Sequence, residues 1–195
     1  MIFAESLLFF RKEKTMQKHF VPNLNVANAT ILPSFKNFSG TKFGDGKRGF
    51  AWRIDDPAVA KAMNDDGWRV KVTVKDPTMV KQLIDDGWKS VSVYPELVDD
   101  VQYRLEIAVN LNPPAGVAPA EIYTHKGNIT NKITPENAAE LDFVQFVNVD
   151  MTINPRWWAS NDGDWAIKAY LRVMHITLEE DPWADKYPVY QVGNE

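Results

Sequence analysis

The chain has 195 residues, of which 45% are hydrophobic and 25% charged, and this composition is typical of a globular protein and excludes a largely disordered one. It contains no cysteine, which excludes disulfide scaffolds, zinc ribbons, iron–sulfur clusters and thiol nucleophiles. The net charge of −4 is unevenly spread: residues 1–54 carry nine Lys or Arg against three Asp or Glu, whereas residues 179–195 carry one against five.

The two ends of the chain differ from its middle. Residues 1–15 show no capping or turn pattern that connects them to the next segment, and Met16 offers a second start. We therefore expect an N-terminal extension over 1–15, a main domain over 16–178 and an acidic C-terminal tail over 179–195. The longest apolar stretch, Leu7 to Phe10, is too short to span a bilayer.

A hairpin with a long basic tip is the first predicted feature of the main domain. Residues 27–38 are compatible with a strand, and residues 50–54 form the next one. Between them, residues 41–49 are rich in glycine and charge, which is typical of a long hairpin loop.

An internal repeat with a period of twenty residues lies within an insertion at 55–100. Each copy opens with Asp-Pro, at Asp56 and Asp76, and closes with Asp-Asp-Gly-Trp, which ends at Trp68 and Trp88. Asp as N-cap, Pro at the first helical position and Gly after the last one predict two short helices, each followed by a strand. We interpret the repeat as a local duplication within one domain.

The remaining elements are strands with one short helix. Strands are predicted over residues 101–109, 120–124, 143–153 and 165–178, and a helix over residues 134–141. Read coarsely, this order favours a mainly β fold: a five-stranded antiparallel OB-fold barrel with short helices and a helix–strand insertion. A β-sandwich accommodates the same elements.

Alternation along the last strand predicts a functional surface. One face receives Ile167, Ala169, Leu171 and Val173, and the other receives the row Lys168, Tyr170 and Arg172. Single-stranded nucleic acid requires cations for its phosphates and flat side chains on which its bases stack. One β-strand with this alternation is also compatible with an ordinary solvent-exposed face of a sheet.

Two further clusters combine aromatic and basic residues: the hairpin, and Arg156-Trp157-Trp158 in a predicted turn. Adjacent tryptophans in a strand point to opposite faces, so one of this pair is expected in the core. The candidate DNA-contacting residues are the aromatic Phe35, Phe38, Phe43, Trp52, Trp157 and Tyr170 and the basic Lys36, Lys42, Lys47, Arg48, Arg104, Lys126, Arg156, Lys168 and Arg172.

Motifs for catalysis or metal binding are scarce. Residues 161–164, with the sequence Asn-Asp-Gly-Asp, resemble part of a calcium loop, but the later ligands are missing and a tight turn is favoured. The Asp pairs at 65–66 and 85–86 are interpreted as solvated helix ends. We expect no catalytic residue, no bound metal and no cofactor.

Several short motifs, taken in order, resemble those of the bacteriophage single-stranded-DNA-binding proteins, a divergent OB-fold group of the helix-destabilising type. The motifs are Phe35-Lys36-Asn37-Phe38-Ser39-Gly40, Arg48-Gly49-Phe50, Asp66-Gly67-Trp68, Asn148-Val149-Asp150, Ile153-Asn154-Pro155, Ile167-Lys168-Ala169-Tyr170-Leu171 and Glu179-Glu180-Asp181. The resemblance implies sequence-independent binding of single-stranded DNA in phage replication or recombination, in the host bacterial cytoplasm. It also implies an acidic tail that contacts replication proteins and competes with DNA.

The sequence does not decide whether the protein is a monomer or a dimer. It also leaves two alternative functions open. One alternative is an all-β virion or assembly protein whose aromatic residues fill a protein interface. The other is a metal-dependent nuclease built on the Asp pairs.

Overall fold

A computed structural model describes residues 18–159 and 165–179. The expected N-terminal extension, the turn at 161–164 and all of the expected acidic tail except Glu179 lie outside the described residues. Within the described ranges, ten strands form a single sheet, accompanied by two α-helices and two 3-10 helices. The prediction of a mainly β protein is confirmed, and the open sheet is compatible with an OB-like fold.

The strands and helices have the following bounds. The strands are β1 (Leu24–Val26), β2 (Thr30–Ile31), β3 (Arg48–Ile54), β4 (Val70–Val74), β5 (Val91–Val93), β6 (Val101–Val109), β7 (Glu121–Lys126), β8 (Ile129–Lys132), β9 (Phe146–Ala159) and β10 (Trp165–Leu178). The α-helices are α1 (Pro57–Asp66) and α2 (Met79–Asp85), and the 3-10 helices are Pro33–Phe35 and Ala138–Asp142.

The sheet order is β1-β9-β10-β6-β3-β2, with β4 and β5 attached through β6, and β7 and β8 attached through β10. The central hairpin of β9 and β10 is antiparallel and is the longest pairing in the described chain. Three pairs are parallel, however: β10 with β6, β10 with β7, and β4 with β5. The expected arrangement of five antiparallel strands therefore understates the number of strands and misses these parallel pairs.

Both copies of the repeat form a helix, but only the first has the expected caps. The Asp56 carboxylate accepts a hydrogen bond from the backbone N–H of Ala58 at 2.8 Å, and Gly67 ends α1 with a left-handed φ of 103°. In the second copy Asp76 accepts from the N–H of Thr78 at the same distance, although α2 itself begins only at Met79. The tryptophan after each helix is buried in the core.

The predicted first arm of the basic hairpin is shorter in the structure. Strand β2 ends at Ile31, because Pro33 has no N–H to donate to the sheet and instead opens a 3-10 helix. Strand β9 is longer than predicted, so Arg156, Trp157 and Trp158 lie within a strand and not in a turn.

A β-bulge divides β10. Ile167, Ala169 and Leu171 are buried, as the alternation predicts, but the register shifts between Leu171 and Val173. Beyond the shift the buried residues are Met174 and Ile176. Val173, which was predicted in the apolar row, is consequently only half-buried.

Candidate nucleic-acid interface

The solvent-exposed face of β9 and β10 carries a group of cations and aromatic rings. Cross-strand partners in a sheet share a face, so the pairings Lys168 with Arg156 and Ala166 with Trp158 place these side chains together. We call the surface formed by Arg69, Arg156, Trp158, Lys168 and Tyr170 the β9–β10 face. Three of these five residues are positively charged, and none is acidic.

An exposed tryptophan anchors one end of this face. The Trp158 side chain is 40% exposed, and the guanidinium carbon of Arg69 lies 4.9 Å from the centre of its ring. Arg69 reaches this position because Trp68 bridges to Ile167 and brings the start of β4 beside β10. Further along β10, the Lys168 ammonium lies 5.3 Å from the Tyr170 ring. The face thus alternates flat rings with positive charge.

A cleft of about 370 Å³ adjoins the β9–β10 face. Ala108 lines this cleft, and its cross-strand partner is Tyr170 of the β9–β10 face. Gly49 and Ala108 face each other across β3 and β6. A Cβ atom on Gly49 would lie 2.8 Å from the carbonyl oxygen of Ile107, so this position requires glycine. The small residues leave room above the sheet for a flat group.

The basic loop, residues 41–47, forms one wall of this cleft. Phe43 is 60% exposed at its edge. Lys42 donates to the carbonyl of Ser34 at 2.5 Å, and Lys47 pairs with Asp45 at 3.3 Å. The neighbouring N–H of Lys47 donates to the same Asp45 side chain, and this bond keeps the pKa of Asp45 below its ordinary value.

The base of the basic loop is fastened to the chain just before β9. The Asp142 carboxylate accepts from the N–H groups of Phe38 and Ser39 at 2.6 and 3.0 Å. The Asn37 amide donates to the carbonyl of Lys47 at 2.7 Å and so joins the two sides of the loop. These bonds hold the loop beside the cleft.

Burial removes two of the candidate residues, Phe38 and Lys36, and two others are in contact with the core. Phe38 is fully buried and stacks on Phe50, so its ring is unavailable to a base. Lys36 is also buried: its ammonium donates to the Val144 carbonyl at 2.5 Å, and burial lowers its pKa. Trp52 and Trp157 are only partly buried, but both pack against the hydrophobic core.

The tryptophan pair divides between the two faces of β9, as expected for adjacent residues. The indole N–H of Trp157 donates to the His19 carbonyl at 2.8 Å, on the core side of β9. Trp158 is the member that faces solvent, although Trp157 was the one chosen as a candidate. The rule that adjacent residues point to opposite faces does not say which one is outside, and the position of the core decides that.

Two candidate arginines are held by the protein itself. Arg104 lies 4.6 Å from the Phe35 ring and donates to the Thr73 hydroxyl, and burial lowers its pKa. Arg48 donates to the Pro135 carbonyl at 3.2 Å. Arg48 lines the cleft, and Arg104 packs on Phe35, which also lines it. These contacts hold both guanidinium groups against the protein, so they are less free to contact phosphates than the exposed lysines are.

The remaining basic candidates are exposed, whereas Phe35 and Tyr170 are half-buried. Lys168 and Arg172 project from β10, and Arg156 projects from β9. Lys126 is exposed where β7 turns into β8, on the side of β10 away from the cleft. Arg69 and Trp158 were not among the candidates. The signals for them could be read from the sequence. Trp158 follows Arg156 by two residues and therefore shares its face of the strand, and Arg69 alternates with the apolar Val70.

The metal-dependent nuclease alternative requires acidic side chains that converge on a metal ion. Within residues 18–159 and 165–179, no group of three or more His, Asp or Glu side chains is placed to hold a metal ion. Asp65, at the end of α1, pairs with Lys61 one turn earlier. Among the described helices, none is long and apolar enough to cross a membrane.

Comparison with protein families decides the classification. A family model described as "Putative phage ssDNA-binding domain" matches residues 72–195. The chain belongs to this phage ssDNA-binding family. The resemblance predicted from the sequence motifs is thereby confirmed. The matched segment contains β6 to β10 and thus most of the β9–β10 face, whereas the basic loop precedes it.

A search of solved structures matched two phage proteins, among others. The single-stranded DNA-binding protein from bacteriophage Enc34 in complex with ssDNA is 14% identical, with 88% of this chain and 99% of that chain covered and a TM-score of 0.42. For gp2.5, a single-stranded DNA-binding protein encoded by bacteriophage T7, the identity is 11%, the coverage 86% and 98%, and the TM-score 0.40. A search of curated proteins gave no match for this member of the phage ssDNA-binding family.

Proposed function

We propose that the chain binds single-stranded DNA during phage replication or recombination, with the β9–β10 face and the adjoining cleft as its binding surface. In this arrangement bases stack on Trp158, Tyr170 and Phe43. Phosphates contact the exposed cations, which are Lys42, Lys47, Arg69, Arg156, Lys168 and Arg172. Lys126 extends the same surface beyond β10.

The observation that carries this proposal is the exposed Trp158 ring with Arg69 against it, beside the cross-strand pair of Arg156 and Lys168. The ring is 40% exposed, so part of its surface is available to stack on a base. Base stacking on an exposed ring contributes about 1–3 kcal/mol per base. The three cations supply the phosphate contacts beside it.

Binding of this kind is independent of sequence. Ring faces accept any base, since every base has a π-face, and phosphates are the same at every nucleotide. The proposal includes no catalytic step, and it places the protein in the host bacterial cytoplasm, where phage DNA is replicated. The acidic segment 179–195 is proposed to contact replication proteins and to compete with DNA for the cations, because its charge is opposite to theirs.

The test compares two tryptophan variants in titrations with oligo-dT. Trp158→Ala is expected to weaken binding roughly 5- to 150-fold, the equivalent of one lost stacking contact. Trp157→Phe is the matched control, because its ring lies on the core side of the same strand. Fluorescence anisotropy of labelled oligo-dT at about 50 mM salt, where phosphate contacts are strong, measures both, and circular dichroism verifies that each variant is folded.

Two results would overturn the proposal. One is the absence of any binding by the wild-type chain at this low salt concentration. The other is a folded Trp158→Ala protein with wild-type affinity, particularly if Trp157→Phe were the weaker binder. The second result would mean that bases do not stack on the β9–β10 face.

A further inference from the structure

Two histidines form a hydrogen-bonded pair on the side of the sheet that carries the β9–β10 face. His175 lies in β10 beyond the bulge, and His125 lies in the neighbouring strand β7. Nε2 of His125 lies 2.9 Å from Nδ1 of His175, and their rings stack with centroids 5.2 Å apart. The other side of His175 stacks on Tyr123 at 5.3 Å. Nothing in the proposed binding surface explains this pair.

The position of the pair makes it a continuation of the β9–β10 face. Lys168, Tyr170 and His175 all project to the side of β10 opposite its buried residues. The pairing of His175 with Tyr123 and of Thr177 with His125 places both histidines over the junction of β10 and β7. At roughly 3.3 Å per strand residue, His175 lies about 23 Å along β10 from Lys168.

The pair can take up one proton without losing either hydrogen bond, because the Thr130 hydroxyl can donate to neutral His125 or accept from its imidazolium. The second ring nitrogen of His125, Nδ1, lies 3.0 Å from the Thr130 hydroxyl. When His125 is an imidazolium, it donates to Thr130 from Nδ1 and to His175 from Nε2. His175 accepts at Nδ1 and carries its own proton on Nε2, so its exposed side chain keeps a donor there.

The charged groups around the pair are of both signs, and Asp150 is the cross-strand partner of His175. On the neighbouring strands of the described chain, the charged side chains are Glu121, Lys126, Lys132, Asp150 and Arg172, with Glu179 after β10. Lys132 pairs with Glu121 at 2.9 Å, and this bond lowers the pKa of Glu121. Asp150 accepts from the backbone N–H of Asn28 at 2.9 Å.

We infer that the His125–His175 pair is a protonation-dependent phosphate contact at the far end of the DNA-binding surface, which strengthens binding of single-stranded DNA as the pH falls. The inference rests on the proposed function. Imidazole changes charge between about pH 5 and 8. A nearby phosphate favours the charged form, so by linkage the charged form binds DNA more tightly.

The experiment measures affinity for oligo-dT of about 16 nucleotides, long enough for one site, at about pH 6 and pH 8 and constant ionic strength. We expect the wild-type affinity to rise severalfold at the lower pH. The dependence of log K on log[salt] should also steepen by about 0.7, the value for one added phosphate contact on a single strand. His125→Gln and His175→Gln should each abolish both changes, whereas His19→Gln, the third histidine of the chain, should keep them.

The outcomes separate this inference from the proposed function. Absence of binding at the higher pH, or an unaffected Trp158→Ala variant, contradicts the proposed function. Binding at the higher pH with no change at the lower one, or with a change that both Gln variants retain, overturns the histidine contact alone. NMR titration of the histidine ring protons is independent of variant folding: oligo-dT should raise the midpoints of His125 and His175, and unmoved midpoints would contradict the inference.

Discussion

Neutralising Lys168 tests whether the β9–β10 face contacts phosphates. The side chain is exposed in the middle of this face, with Arg156 as its cross-strand partner. Each phosphate contact on a single strand contributes about 0.7 to the slope of log K against log[salt]. With about 1 M salt as the reference at which this effect vanishes, Lys168→Gln should weaken binding about eightfold at roughly 50 mM and about threefold at roughly 200 mM.

The measurement is a salt series of oligo-dT titrations followed by anisotropy. Lys81→Gln is the matched control, because it removes the same charge from an exposed position on α2, in the duplicated insertion. A change in net charge alone would shift both variants equally. If Lys168→Gln retained the wild-type slope, or if Lys81→Gln reduced it by as much, the phosphate contacts would not lie on the β9–β10 face.

Two further predictions concern the base of the basic loop. Asp142→Ala leaves the N–H groups of Phe38 and Ser39 without their acceptor, at a cost of about 1–3 kcal/mol each. Thermal unfolding should show a smaller loss for Asp142→Asn, and equal losses would contradict this account. Burial lowers the pKa of Lys36 from its ordinary 10.5, so the unfolded chain binds more protons in the window just below that value. Wild-type stability relative to Lys36→Met should therefore rise between about pH 8 and pH 10 in urea unfolding, and a flat or falling difference would refute it.

Local patterns predicted much of the fold. The caps and glycines around residues 57–66 predicted α1 because these signals act within one turn. The alternation of β6 and the first half of β10 was also readable, since one face of each is buried. The parallel pairing of β10 with β6 and β7 joins residues far apart in sequence, and no local pattern specifies it.

The candidate site was predicted in part, for a related reason. Composition near the hairpin correctly singled out a basic, aromatic region, but it did not distinguish exposed rings such as Phe43 from buried ones such as Phe38. That distinction depends on Asp142, about a hundred residues away, which holds the N–H of Phe38. The pairing of Arg69 with Trp158 likewise depends on tertiary contact between β4 and β10.

The extra residue in β10 also bends the β9–β10 face, and with it the proposed course of bound DNA. Before the bulge β10 pairs with β6 at Ala169 and Tyr170, and after it β10 pairs with β7 from Val173 onward. A bulge bends its strand and increases the local twist, so the surface changes direction where β10 exchanges one neighbour for the other. Arg172 is the unpaired residue at this corner. A DNA backbone that follows the whole of β10 therefore turns around a guanidinium, and deleting Arg172 would restore regular pairing while Met174 stays buried and His175 stays exposed.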